Sequence, residues 1–118
     1  MAKFIALYIG SVSAAEKADY APTPDDEAMW SRGMAAWGQW MSDHADAIVD
    51  GGGPLGATLR ISPKGIEPHE NRIVGYVIVE ADSHEAAARL FSDHPHFAIM
   101  PGDSVEILEC LAPPSPAA

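Results

Sequence analysis

Residues 3–9, Lys-Phe-Ile-Ala-Leu-Tyr-Ile, form an unbroken apolar run ended by Gly10, which predicts a strand. Alternation puts Phe4, Ala6 and Tyr8 on one face and Ile5, Leu7 and Ile9 on the other. Both faces are apolar, so both need cover. Residues 11–22 are small and polar and read as a loop, with one helical turn expected at Ala14–Ala18. Thr23-Pro24-Asp25-Asp26-Glu27 marks a helix start. Thr23 accepts from a first-turn N–H, Pro24 suits the first helical position, and three acids face the positive end of the helix dipole. Trp30, Met34, Trp37 and Met41 follow at spacings of 4, 3 and 4 as one stripe, flanked by Gly33, Ala36 and Trp40. The helix is expected to end near Ala45–Ala47, with His44 in its last turn.

Ile48-Val49-Asp50 predicts a short strand leading into a glycine-rich elbow, Gly51–Gly56. Ala57–Ser62 alternates and reads as a strand, Pro63-Lys64-Gly65 as a turn, and Pro68–Asn71 as loop. Arg72–Ala81 is the clearest strand, with Val74, Tyr76 and Ile78 on one side and Ile73, Val77 and Val79 on the other. Asp82-Ser83-His84-Glu85 resembles a capping box with Asp82 as the cap, and Ala86, Ala87, Leu90 and Phe91 form a short amphipathic face. Asp93-His94-Pro95 stops that helix. Asp103–Glu109 predicts the last strand, with Val105 and Ile107 inward.

Two β–α–β halves with joined inner strands make an α+β fold of ferredoxin-like βαββαβ type, an antiparallel sheet with both helices on one face. The organisation expected is one domain over residues 1–111 and a proline-rich tail over 112–118. One chain has no helix left for the second sheet face. A second copy is the simplest cover, so a homodimer packed sheet to sheet is expected.

Composition narrows the function classes. The chain of 118 residues carries 17 acidic and 7 basic side chains, a net charge of −10, which disfavours nucleic acid and anionic membranes as partners. No apolar run approaches the ~20 residues of a spanning helix, and no signal peptide is visible at the start. The single cysteine, Cys110, has no partner for an intrachain disulfide, which fits a cytoplasmic location.

The candidate chemistry is sparse. His94 and His96 flank Pro95 beside Asp93 and suit an acid–base pair or two metal ligands, or else a helix stop whose polar groups serve the backbone. No third ligand stands at a suggestive spacing, so no metal is expected. Asp50, just before the glycines, would orient a histidine or a substrate hydroxyl, or cap the turn. The glycine run lacks the Lys-Ser/Thr of a phosphate loop and fails the dinucleotide spacing, so no cofactor is expected. It reads as the flexible mouth of a cleft. Trp30, Trp37 and Trp40 with Met34 and Met41 are core, or they line an aromatic pocket to which Tyr8 and Tyr76 supply hydroxyls from the sheet side.

Three segments resemble the YCII-related proteins, including the DGPF-type branch, of the dimeric α+β barrel superfamily. They are Ile48–Leu55, then Gly75–Ser83 with Glu85-Ala86, and Asp93–Phe97 with Gly102–Ile107. The resemblance implies the dimeric barrel, and family members include enzymes acting on small ring compounds. Members proposed to be catalytic carry a histidine on the first helix shortly after an arginine. Arg32 matches the arginine, but Ala35 and Ala36 stand about where the histidine would be. The Asp-Gly-Pro-Phe tetrapeptide is also absent, replaced by Glu67-Pro68-His69-Glu70-Asn71.

Two functions follow. In the first, a small molecule binds or reacts in a cleft between the long helix and the sheet. Tyr8, Arg32, Trp37 and Pro54 would border it, and His94 or His96 with Asp50 would supply acid–base catalysis. In the second, the chain is a non-enzymatic dimeric accessory or interaction module.

Overall fold

A computed structural model describes residues 1–13, 16, 17 and 19–114. Ala14, Ala15 and Ala18 of the expected helical turn lie outside the described residues, as does the tail from 115 to 118. The elements in chain order are β1 (Ala2–Gly10), α1 (Pro24–Asp43), β2 (Ile48–Pro54), β3 (Thr58–Ser62), β4 (Gly65–His69), β5 (Ile73–Ala81), α2 (His84–Arg89), α3 (Pro95–Ala98) and β6 (Gly102–Glu109). Four strands form one antiparallel sheet in the order β2-β5-β1-β6, with β3 and β4 as a separate two-stranded ribbon. This is the ferredoxin-like split arrangement, with β5 and β1 at its centre.

Phe4, Ala6 and Tyr8 of β1 and Val77, Val79 and Ala81 of β5 are buried under the helices, where they meet Trp40, Ala87 and Phe91. The alternate residues Ile5, Leu7, Tyr76 and Ile78 are half-buried on the opposite face, which no helix covers. A bulge at Tyr8/Ile9 pairs Ile9 with Ile73. No described helix is long and apolar enough to cross a membrane.

Local chemistry explains the helix starts. Thr23 accepts from Asp26 N–H, and the Asp26 carboxylate accepts from Thr23 N–H, so aspartate closes the capping box. Ser83, not Asp82, caps α2 and accepts from Ala86 N–H. Its hydroxyl sits at the register that reaches the first-turn donors, and the helix starts one residue later than expected.

Other differences trace to long-range contacts. Helix α1 ends at Asp43, and four turn residues follow. Met34 is 61% exposed, whereas Gly33 and Trp40 are buried. Gly33 and Trp40 of the flanking stripe therefore face inward, with Met100 packed where a Gly33 Cβ would stand; of the expected stripe Trp37 and Met41 still pack against the core, and Met34 alone turns outward. The glycine elbow is not a loose mouth: Gly51–Pro54 continues β2 along β5 through two register shifts. Gly52, at φ +64, lies so close to the Tyr76 carbonyl that a Cβ would collide with it. Strand β4 and helix α3 occupy segments expected to be loop. Pro68 is accepted in β4 because a two-stranded ribbon consists only of edges.

Candidate functional site

The sequence Asp93-His94-Pro95-His96 builds the site locally. A residue before proline favours extended backbone, and His94 has φ −61 and ψ 137. Pro95 then opens α3 at the position that needs no N–H. His94 Nδ1 accepts from the His96 N–H at 3.0 Å and so caps the helix. A ring whose Nδ1 accepts carries its proton on Nε2 when neutral. That Nε2–H donates to Tyr8 Oη at 3.2 Å. His96 turns its Nε2–H onto the Ile9 carbonyl at 2.7 Å, which anchors α3 to the end of β1.

Rings close around this pair. Trp37 stands edge-on to His94 with centroids 4.4 Å apart and meets Tyr8 at 4.6 Å. Trp40 lies 4.6 Å from His94, and Phe91 stacks on it at 5.7 Å. Trp40 donates its indole N–H to the Leu90 carbonyl at 2.8 Å. Two glycines make the space. Gly75, opposite Tyr8 in the sheet, leaves room for the phenol ring, and a Cβ on Gly102 would strike the His96 ring and carbonyl.

Burial of the ring, with repulsion from His96 and His44, pushes the His94 pKa down to about 3. His94 is therefore neutral at physiological pH. Burial also raises the Tyr8 pKa, so the phenol keeps its proton. Every wholly buried side-chain nitrogen or oxygen among the described residues has a hydrogen-bond partner. His96 Nδ1 has no protein partner among them, and since no wholly buried atom is left unpaired it keeps a narrow opening on a residue only 6% exposed.

The structure thus brings Tyr8, Trp37, His94 and His96 together. Asp50 is on β2, where its Oδ1 accepts from Gly52 N–H at 2.9 Å, and no hydrogen bond joins it to either histidine. Arg32 is exposed on α1 without a salt bridge among the described residues. Pro54 is exposed at the end of β2, paired with Gly75, which in turn pairs with Tyr8. A cavity of about 280 Å³ opens on the same side of the sheet, between α2, α3 and the edge strand β6 rather than under α1. Phe91, Val105 and Ile107 line it with Phe97, Asp103 and Ser104, so Phe91 is shared with the histidine cluster. Phe91 and Asp103 carry no site signal in the sequence, whereas Trp40 belongs to the Trp/Met set read as core or as pocket lining. The described residues hold no group of three or more His, Cys, Asp and Glu placed to bind a metal ion.

Fold and site define a ferredoxin-like α+β domain with a buried Tyr–His–Trp cluster on its helical face. A solved structure shares the fold: the 5-chloro-2-hydroxyhydroquinone dehydrochlorinase of Burkholderia phenoliruptrix AC1100, in complex with 2,5-dihydroxybenzoquinone. It is 16% identical, covers 89% of each chain and superposes with a TM-score of 0.52. No family model matches the chain, and no curated protein sequence matches it.

Proposed function

We propose that this chain is a YCII-type protein that binds a small hydroxylated ring compound beside His96 and acts on it by acid–base chemistry. The observation that carries the reading is His96 Nδ1, left without a protein partner among the described residues while Nε2–H is held on the Ile9 carbonyl. A ligand hydroxyl donates to Nδ1, and His96 takes up its proton while Nε2–H remains on the Ile9 carbonyl. His94, held neutral, fixes the first turn of α3 and does not compete for that proton. Flat rings nearby, with the cavity beyond Phe91, suit a planar ligand. The structural neighbour's bound dihydroxybenzoquinone is a compound of this shape. Asp50 has no part in this reading, because no hydrogen bond joins it to His94 or His96.

The second reading, a dimeric module without catalysis, is favoured by one observation: both ring nitrogens of His94 are bonded inside the protein. In either reading the chain pairs with a second copy through the outer face of Ile5, Leu7, Tyr76 and Ile78.

Titration of the histidine ring NMR signals with hydroquinone, whose hydroxyls keep their protons at neutral pH, tests the first reading. Saturable shifts at His96 are expected, and in His96→Gln the ligand's own signals should no longer show binding. Unchanged His96 signals at ligand excess would leave the accessory reading in place.

A further inference from the structure

Strands β3 and β4 make a ribbon that pairs with itself and packs closely on no other element. Register gives it two unlike faces. Leu59 opposite Pro68 and Ile61 opposite Ile66 make one apolar face. Thr58 opposite His69, and Arg60 opposite Glu67, make the other, where Arg60 and Glu67 form an ion pair at 3.6 Å. Leu59, Ile61 and Ile66 are 71%, 76% and 68% exposed. An isolated two-stranded ribbon is marginal in water, and soluble monomers seldom present so contiguous an apolar patch without use. The ribbon base is nonetheless well tied. Asn71 donates its side-chain amide to Thr58 Oγ1 at 3.1 Å, and Leu55 N–H donates to the Val74 carbonyl at 2.9 Å.

We propose that the β3–β4 ribbon is an arm that packs its Leu59–Ile61–Ile66 face on a second copy of this chain. The inference rests on the self-association proposed above and adds a second contact to it. Charge selects the occupant. Residues 58–72 carry three cations, Arg60, Lys64 and Arg72, against two carboxylates, Glu67 and Glu70. The segment is thus +1, and the rest of the chain, from a total of −10, is −11. A locally cationic arm meets an acidic body whenever two copies approach, and the attraction offsets part of the repulsion between them. The outer sheet face offers only half-buried side chains, and the arm adds three that are 71%, 76% and 68% exposed. Under two-fold symmetry each copy gives one arm and receives one, so both uncovered apolar surfaces close in a single pair.

Sedimentation equilibrium of the full chain, alone and as the Leu59→Thr/Ile61→Thr/Ile66→Thr variant, tests the arm. Threonine keeps the strand preference, and the far-UV spectrum checks that the variant folds. The expected result is a two-chain mass, with dissociation at least about tenfold easier in the variant. Hydrogen exchange at the Ile61 and Ile66 amides should slow as protein concentration rises. Arg60→Glu/Lys64→Glu should also weaken pairing, most strongly at low salt. A two-chain mass with equal dissociation constants in wild type and triple variant would overturn the arm and leave the sheet-face dimer standing. A one-chain mass at the highest soluble concentration would overturn both.

Discussion

Tyr8 and His94, separated by 86 positions in the chain, are joined by a hydrogen bond of 3.2 Å in which the imidazole Nε2–H meets the phenol oxygen. The bond ties the central strand β1 to the start of α3. Because His94 Nδ1 is occupied by the His96 N–H, the ring has only this outlet for its proton. Tyr8→Phe removes the acceptor and keeps the ring shape, leaving a buried donor unpaired. A loss of about 1–3 kcal/mol in urea unfolding is expected. A negligible loss would mean that water reaches Nε2.

The acid limb of the stability profile should carry the mark of His94. In the unfolded chain its ring titrates near the ordinary 6.5, whereas in the fold it stays neutral down to about 3. Above pH 6.5 neither state binds the proton, and the stability of the neutral cluster is fully present. As the pH falls below 6.5, the unfolded chain takes up a proton that the folded one refuses. Stability then drops by up to about 1.4 kcal/mol per pH unit until the folded pKa is reached. Unfolding free energies of wild type and His94→Gln, compared from about pH 8 to about pH 5, should converge as acid is added. Parallel profiles would show that the folded ring accepts the proton freely.

Helix α1 yields a paired prediction on its glycines. Gly33 is where Met100 packs, so Gly33→Ala should destabilise by forcing that side chain away. Gly38 has nothing within 4 Å of where its Cβ would be, so Gly38→Ala should stabilise by about 0.5–1 kcal/mol through helix propensity alone. Thermal melts of the two variants should move in opposite directions. The same rotation of the helix ranks its large side chains. Trp40→Ala should cost about 3–5 kcal/mol, half-buried Trp37 less, and Met34→Ala close to nothing.

That rotation also shows where sequence patterning stops. Strands β1, β5 and β6 were legible because a period of two needs no knowledge of the partner, and the Thr23-Pro24 start is chemistry within four residues. Both stripes of α1 are apolar, so periodicity could not decide between Met34 and Trp40. The decision comes from Met100, 67 positions beyond Gly33. Strand β4 was obscured by Pro68, which is excluded from a central strand but not from a ribbon. The site was legible in part. The His-Pro-His segment was visible, but its alliance with Tyr8 is a tertiary fact. The acid beside the glycines turned out to be engaged in the turn, with Asp50 held by Gly52.

The last prediction separates positioning from ligand contact. Gly102, at the start of β6, lies against the His96 ring and carbonyl so closely that any Cβ there collides with them. It pairs with Gly10 at the irregular end of β1, one residue beyond the Ile9 carbonyl that holds His96 Nε2. Gly102→Ala must therefore shift His96 and lengthen its bond to Ile9 while adding only a methyl group. In nitrogen-detected histidine NMR, the wild type should show His96 protonated on Nε2 with that proton bonded. The variant should lose the bonded signature at His96 and keep it at His94 Nε2–H, whose acceptor is Tyr8. Binding of hydroquinone should weaken with it. Gly56→Ala, where nothing lies within 4 Å, serves as the neutral comparison. An unchanged His96 signal in Gly102→Ala would show that α3 yields as a whole, and that the position of the ring is set by His94 and Pro95 rather than by the strand beneath it.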